Sequence, residues 1–130
     1  MMRDGLKAGH TASIKVIVTP DMFARFEGKL VHPVYSTVSM VYHMEWASRQ
    51  IILPFLEDDE EGMGGAVTVK HIAPCIEGAE VVITATVTDL QDNTILTNVR
   101  AETNGRLVGV GEVKQVVLPK SRITELLTGS

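Results

Sequence analysis

The sequence predicts an α+β domain in which an antiparallel sheet wraps around one long central helix. One stretch near the middle of the chain repeats apolar residues at helical spacing. Four later stretches alternate apolar and polar residues, as half-buried strands do. A chain of 130 residues has the size of one domain, so we expect 1–130 to share a single core.

One strand is predicted before the helix. It covers Ser13–Thr19, where apolar and polar residues alternate, and Pro20 ends it. Asp21 suits the start of a short helical turn through Phe26. The loop that follows is marked by Gly28, His32 and Pro33.

The long helix is predicted over 38–56. Ser36 or Thr37 is a suitable N-cap residue. Trp46 and Leu53 form a second, smaller apolar strip, so we expect the helix to be covered on more than one side. The main apolar face consists of Met40, Met44, Ala47, Ser48, Ile51 and Phe55, with Val41 and Ile52 beside it.

Four strands are predicted after the helix, and their order implies three successive antiparallel pairings. Asp92-Asn93 separates two of the alternating runs, and Asn104-Gly105 is a strong hairpin signal. A short terminal helix is predicted over Pro119–Leu127, because proline suits a first helical turn. The predicted strands are Ala66–Ile72, Glu80–Asp89, Ile95–Thr103 and Leu107–Val117.

Composition excludes several classes of protein. Hydrophobic residues make up 45% of the chain, yet no apolar run is long enough to span a membrane. The net charge of -4 argues against nucleic-acid binding. The acidic run 57–61 lacks the spacing of a calcium loop and is interpreted as a solvated turn. Residues 1–15 contain no secretory apolar core, and a single cysteine, Cys75, suits a reducing compartment, so we expect the cytoplasm.

A spaced set of reactive residues spans the start of the helix and the next strand. Thr37 stands just before the helix, and Glu45 follows eight residues later within Met-Glu-Trp-Ala. Gly64 then stands seven residues before His71. In these residues the chain resembles the fluoroacetyl-CoA thioesterase family of hotdog-fold proteins.

The resemblance implies a hotdog fold, a homodimer whose sheets join side by side, and hydrolysis of a small acyl-CoA at the subunit interface. CoA would be part of the substrate, and no cofactor or metal is expected. The family's namesake has two phenylalanines shortly before its threonine, where ungapped counting places Gly28 and Val31. Fluoroacetyl-CoA is therefore not predicted as the substrate. Whether dimers pair into tetramers is left open.

Thioester hydrolysis needs a polarised carbonyl and an activated water or a carboxylate nucleophile. The free N–H groups of Val38 and Ser39, at the positive end of the helix dipole, are expected to stabilise an oxyanion. Glu45 is the only carboxylate in the helix interior, and partial burial there would suit a general base. It would activate water or attack the thioester directly. The alternative is a surface glutamate.

The other matching residues also have structural alternatives. Thr37 is a possible helix cap, whereas the resemblance implies that its hydroxyl faces the substrate. His71 would bond the carboxylate or a developing charge, or else be a surface histidine. Gly64 and Gly65 would let the acyl or pantetheine chain approach the backbone, or simply form a loop. The remaining histidines, interpreted as surface or loop residues, are His10, His32 and His43.

A distance argument favours a shared site. Thr37 and Glu45 are eight residues apart, so one helix would hold them about 12 Å apart along its axis. That separation is too long for one chain to bring both side chains to one thioester. We therefore expect each site to combine Thr37 from one subunit with Glu45 from its partner.

Two other functions fit the same fold. A non-catalytic hotdog module would bind an acyl-CoA or a small hydrophobic acid without turnover. A hotdog dehydratase would present its own His and Asp or Glu motif near the helix, and the sequence shows none there.

Overall fold

The computed structural model describes residues 2–129 and confirms the predicted antiparallel sheet curved around a long helix. Five strands form the main sheet, and two more form a separate hairpin. The strands are β1 (Thr11–Ile17), β2 (Phe23–Phe26), β3 (Lys29–Tyr35), β4 (Glu60–His71), β5 (Glu80–Gln91), β6 (Thr94–Thr103) and β7 (Arg106–Pro119), and the helices are α1 (Thr37–Ile52) and α2 (Lys120–Thr128).

The main sheet has the strand order β1-β5-β6-β7-β4, and all neighbours are antiparallel. The hairpins predicted after β5 and after β6 are confirmed. The predicted pairing of β4 with β5 is wrong, because β4 pairs with β7 and β5 pairs with β1. Residues 72–79 carry the chain between them past the start of α1. There the Tyr35 backbone N–H donates to the Cys75 carbonyl at 2.8 Å, so this crossover is tied to the helix start.

The stretch before α1 also differs from its prediction. A 3-10 turn spans only Pro20–Met22, and β2 and β3 then form a hairpin where a helical turn through Phe26 and a loop were expected. Glu27 and Gly28 join the two strands with φ of 53° and 78°, and two positive φ values are typical of a type I′ turn. Glu-Gly is not the usual pair for that turn, and Pro33 disfavours a strand interior, so the sequence signal is weak.

The helix α1 follows its prediction closely. It begins after Ser36 and continues as a 3-10 turn, Leu53–Phe55. The predicted apolar face is buried, although Phe55 at its end is only half-buried. The prediction that His43 lies on the surface is wrong, because its side chain is 5% exposed. The buried residues of α1 are Met40, His43, Met44, Ala47, Ser48, Ile51 and Ile52.

Two glycines on β7 allow α1 to pack directly against the sheet. A Cβ atom at Gly109 would overlap the sulfur of Met40. A Cβ atom at Gly111 would overlap the carbonyl oxygen of Thr68 and would lie 3.0 Å from the sulfur of Met44. Protein cores tolerate few such overlaps, so these positions favour glycine on packing grounds alone.

A chain of polar groups crosses the core beneath α1. Ser48, Thr97 and Gln115 are all buried. The hydroxyl oxygens of Ser48 and Thr97 lie 2.8 Å apart, and Gln115 Nε2 donates to the Ser48 carbonyl at 3.0 Å. These bonds offset the cost of removing the hydroxyls and the amide N–H groups from water.

The strand β4 begins inside the acidic run, earlier than the predicted start at Ala66. Glu60 is buried and accepts a hydrogen bond from the Glu57 backbone N–H at 2.9 Å. Glu61 forms an ion pair with Arg49 of α1 at 2.9 Å. The interpretation of the whole run as a solvated turn is therefore wrong for its last two residues.

The other side of β4 is an edge of the sheet. Among the described strands only β7 pairs with β4. Exposed apolar residues on this part of the surface include Tyr42 and Trp46 of α1 and Met63 of β4. A long edge strand flanked by exposed apolar side chains is a typical site of pairing with another chain. Within residues 2–129, no helix has the length and apolar character needed to cross a membrane.

Candidate active site

At the start of α1 the helix cap and the candidate catalytic hydroxyl belong to two different residues, Ser36 and Thr37. Ser36 is the N-cap residue, and its hydroxyl accepts a hydrogen bond from the Ser39 backbone N–H at 3.0 Å. Thr37 is the first helical residue and its side chain is exposed. The capping role predicted as an alternative for Thr37 is therefore filled by its neighbour. Ser39 N–H donates to the cap and is not free, so Val38 N–H is the better candidate of the two predicted oxyanion donors, and the oxyanion role stays a prediction.

Thr37 and His71 meet between the helix start and the end of β4. The Thr37 hydroxyl lies 2.8 Å from His71 Nδ1, which is hydrogen-bond distance. The other ring nitrogen, His71 Nε2, is buried and has no hydrogen-bond partner among residues 2–129. Buried polar atoms in folded proteins nearly always have a partner, so Nε2 is the atom of this site that most needs one.

A second pair of polar side chains lies behind His71. The Tyr35 hydroxyl is 2.7 Å from His43 Nδ1, and the two rings are stacked. Burial lowers the pKa of His43 and raises the pKa of the Tyr35 hydroxyl. The imidazole is therefore neutral at pH 7, and a hydrogen bond joins its Nδ1 to the Tyr35 hydroxyl. The His71 ring contacts the Tyr35 ring at a steep angle, so this pair forms one wall of the Thr37–His71 site.

Glu45 lies in a different part of the same surface. Its carboxylate faces Gly64 of β4, and a Cβ atom on that glycine would lie 3.5 Å from Glu45 Oε2. The expected partial burial of Glu45 is wrong for the single chain, because the residue is exposed. Gly64 and Gly65 belong to β4 at a register shift, and they do not form an entry loop.

A groove of about 390 Å³ opens beside Glu45, between α1 and β4. Tyr42 and Trp46 form its aromatic wall. Its remaining lining residues are Glu45, Arg49, Gly62, Gly64, Val113 and Gln115. A volume of this size is suited to a short acyl group.

One chain therefore brings Thr37 and His71 together but holds Glu45 apart from them. Eight helical residues separate Thr37 from Glu45, about 12 Å along the axis. His71 stands at the last residue of β4, whereas Gly64, which faces Glu45, lies seven residues earlier. The chain presents two half-sites, one at the start of α1 beside His71 and one about two turns further along α1 beside Gly64.

The pattern of the fluoroacetyl-CoA-specific thioesterase family matches residues 18–121, which include both half-sites. The chain belongs to this family. The predicted family, the hotdog fold and the class of enzyme, a hydrolase of thioester bonds, are thereby confirmed. The fluoroacetyl-CoA thioesterase of Streptantibioticus cattleyicolor is 28% identical over 123 residues, covering 90% of this chain and 88% of that protein.

Solved structures agree with this assignment. A thioesterase superfamily member from Thermus thermophilus superposes with a TM-score of 0.92 and 42% identity, covering 96% of this chain and 93% of that chain. A structure of the fluoroacetyl-CoA thioesterase has a TM-score of 0.89 at 24% identity, with 98% of both chains covered. At that identity the second comparison supports the fold alone.

Three polar residues of this thioesterase were missed by the sequence reasoning. His43 stands three residues after Met40 and four before Ala47, which is the spacing of residues on one helix face. This spacing was the signal that His43 lies on the buried face. Tyr35 and Gln115 gave no such signal. Tyr35 ends a strand that was not predicted, and the alternating pattern of β7 does not indicate that an inward glutamine borders a groove.

Proposed function

We propose that this thioesterase hydrolyses a small acyl-CoA to a free acid and CoA, in an active site shared by two subunits. The observation that carries the proposal is the separation of the half-sites: His71 Nε2 is buried without a partner among residues 2–129, and Glu45 is exposed in the middle of α1, about two turns from Thr37. Solved structures of the fluoroacetyl-CoA thioesterase with acetyl-CoA, and with fluoroacetate and CoA, support acyl-CoA as the substrate class.

The free edge of β4 offers a way to join the half-sites. If two copies of β4 pair antiparallel about a twofold axis near Val67, the His71 end of one strand lies beside the Gly64 end of the other. The partner subunit's Glu45 then approaches His71 Nε2. The same pairing covers Trp46, Tyr42 and Met63, whose exposure is costly in a single chain.

The chemistry of the shared site follows from the groups it collects. Val38 N–H, near the positive end of α1, polarises the thioester carbonyl and stabilises the oxyanion. Glu45 acts on the carbonyl carbon, either by taking a proton from an attacking water or by direct attack. The tetrahedral intermediate then expels the CoA thiolate. Attack by water gives the free acid at once, whereas direct attack gives a mixed anhydride on Glu45, which water hydrolyses to release the acid and restore the carboxylate. Thr37 holds His71 Nδ1, so that Nε2 is directed at the carboxylate.

The first test is release of free thiol from a panel of short, branched and aromatic acyl-CoAs. We expect the parent to turn over at least one member and Glu45→Ala to lose that activity while the dimer remains folded. Glu112→Ala, which removes an exposed carboxylate from β7, is the matched control and should keep full activity. Absence of turnover across the panel, with the protein folded, would contradict the proposal.

The shared site has its own test. Thr37→Ala and Glu45→Ala homodimers should each have much less activity than the parent, but their mixed dimer contains one intact site and one doubly substituted site. A random equal mixture should recover up to about one quarter of the parental activity. No recovery, despite subunit exchange shown by mass spectrometry, would mean that each chain works alone.

Compartment is a further part of the proposal. Cys75 is buried, and burial raises the pKa of its thiol, so it is an unreactive core residue. A chain that needs no disulfide and acts on CoA esters suits the cytoplasm. Fractionation of the source cells should place the protein in the soluble fraction with other CoA-dependent enzymes.

A further inference from the structure

The groove beside Glu45 has a polar end that the hydrolysis itself does not use. Gln115 lines the groove, although the residue is only 5% exposed. Its Nε2 atom is held by the Ser48 carbonyl at 3.0 Å. Because a carbonyl only accepts, this bond fixes which end of the amide is nitrogen and which is oxygen.

Gln115 Oε1 is therefore the amide atom left to face the groove. No residue in 2–129 donates a hydrogen bond to it. A Cβ atom on Gly62 would lie 3.8 Å from this oxygen and would overlap the Ile52 side chain, so the oxygen lies near Gly62 but that position is not itself open to a ligand. Among residues 2–129 the fully buried side-chain polar atom without a partner is His71 Nε2, so Gln115 Oε1 is accessible to solvent from the groove.

Arg49 also lines the groove near Gly62. Its Nη1 atom lies 3.9 Å from the position of a Cβ on Gly62. Arg49 binds Glu61 through two nitrogens, at 2.9 and 3.1 Å, so its charge is largely neutralised. A guanidinium carries five N–H groups, so donors remain for a neutral acceptor.

The distance between Glu45 and the polar end of the groove limits the length of the acyl group. Glu45 faces Gly64, and Gly62 is two strand residues away, roughly 7 Å. After allowing for the approach of Glu45 to the thioester carbonyl, that span corresponds to an acyl chain of about three or four carbons.

We infer that this thioesterase prefers short acyl groups with a hydroxyl on the third or fourth carbon, and that Gln115 is the residue that selects them. The inference rests on the proposed function. The hydroxyl donates to Gln115 Oε1 and accepts from Arg49, so it satisfies both groups at once. An acyl chain that ends in a methyl group displaces water from Gln115 Oε1 and gives that oxygen no donor in exchange, which is the basis of discrimination against it.

The test compares 3-hydroxybutyryl-CoA and 4-hydroxybutyryl-CoA with butyryl-CoA, by kcat/KM from thiol release. We expect the parent to favour the better hydroxyacyl substrate about tenfold or more over butyryl-CoA. Gln115→Met should lower that ratio to near one while turnover of butyryl-CoA persists. A ratio near or below one in the parent overturns the inference, and this measurement does not depend on the folding of any variant.

A control separates selection from support of the core. Thr97→Val removes a hydroxyl from the same buried chain of polar groups without facing the groove. It should lower stability and leave the hydroxyacyl ratio unchanged, whereas an equal loss of the ratio in both variants contradicts a direct contact with Gln115. Absence of turnover on every acyl-CoA refutes the proposed function instead, so the two failures are distinguishable.

Discussion

Ser36 and Thr37 are neighbours with different roles, so substituting each alone should separate stability from activity. Ser36 is 8% exposed and caps α1 through Ser39 N–H at 3.0 Å. Removing the cap in Ser36→Ala should cost about 1–2 kcal/mol of unfolding free energy. For a chain of this length that is a fall in Tm of roughly 3–8 °C.

Thr37→Ala should show the opposite pattern. Its side chain is exposed and takes no part in the cap, so Tm should change little. The lost bond, between the Thr37 hydroxyl and His71 Nδ1 at 2.8 Å, orients the ring whose Nε2 faces the charged Glu45 carboxylate in the proposed site. Hydrogen bonds to charged groups contribute about 1.5–3 kcal/mol, which lowers kcat/KM by roughly 10- to 150-fold.

Calorimetry and thiol release on the two purified variants measure both quantities. Thr37→Ser is the conservative control and should retain most of the activity, since it keeps the hydroxyl. The reasoning is refuted if Thr37→Ala loses more Tm than Ser36→Ala, or if Ser36→Ala loses as much kcat/KM as Thr37→Ala.

Three further predictions follow from packing, ionisation and the sheet edge. Burial lowers the pKa of His43 below its ordinary value of 6.5. As pH falls, the unfolded chain therefore takes up a proton at this residue before the folded chain does. The stability that neutral His43 contributes is complete above pH 6.5 and is lost progressively below it. Urea unfolding at pH 7.5 and 5.5 should show a smaller acid loss in His43→Leu than in the parent, and equal losses would refute this. Gly111→Ala should cost about 1–3 kcal/mol in the same assay, because its Cβ meets the Thr68 carbonyl, while Gly65→Ala, whose nearest neighbour is a lysine side chain at 3.6 Å, should be nearly neutral. Met63→Lys should shift the protein towards monomer in analytical ultracentrifugation and lower activity in parallel; full activity in a monomer would contradict the proposed shared site.

Local patterns predicted the fold where neighbours in sequence are also neighbours in space. The apolar spacing of α1 and the Asn104-Gly105 hairpin are signals of that kind, and both are confirmed. The pairing of β4 with β7 joins residues as far apart as Glu60 and Pro119, and no local pattern specifies it. The hairpin of β2 and β3 was missed because Pro33 and an atypical turn pair weaken its signal.

The site was predictable to a similar extent. The contact between Thr37 and His71 agrees with the spacing that suggested them, and it removes the capping alternative for Thr37. The roles of these residues and of Glu45 stay predictions. Glu45 is exposed in the single chain, so the charges around it depend on what covers the β4 edge. The local sequence pattern does not identify that covering surface.

The position of β1 has a consequence for biosynthesis. Among the described strands this one is made first, yet its partner is β5, which begins at Glu80. At ordinary translation rates the intervening stretch takes several seconds to emerge. During that interval Val16 and the other inward residues of β1 lack their sheet, so the nascent N-terminal segment is where a chaperone would bind first.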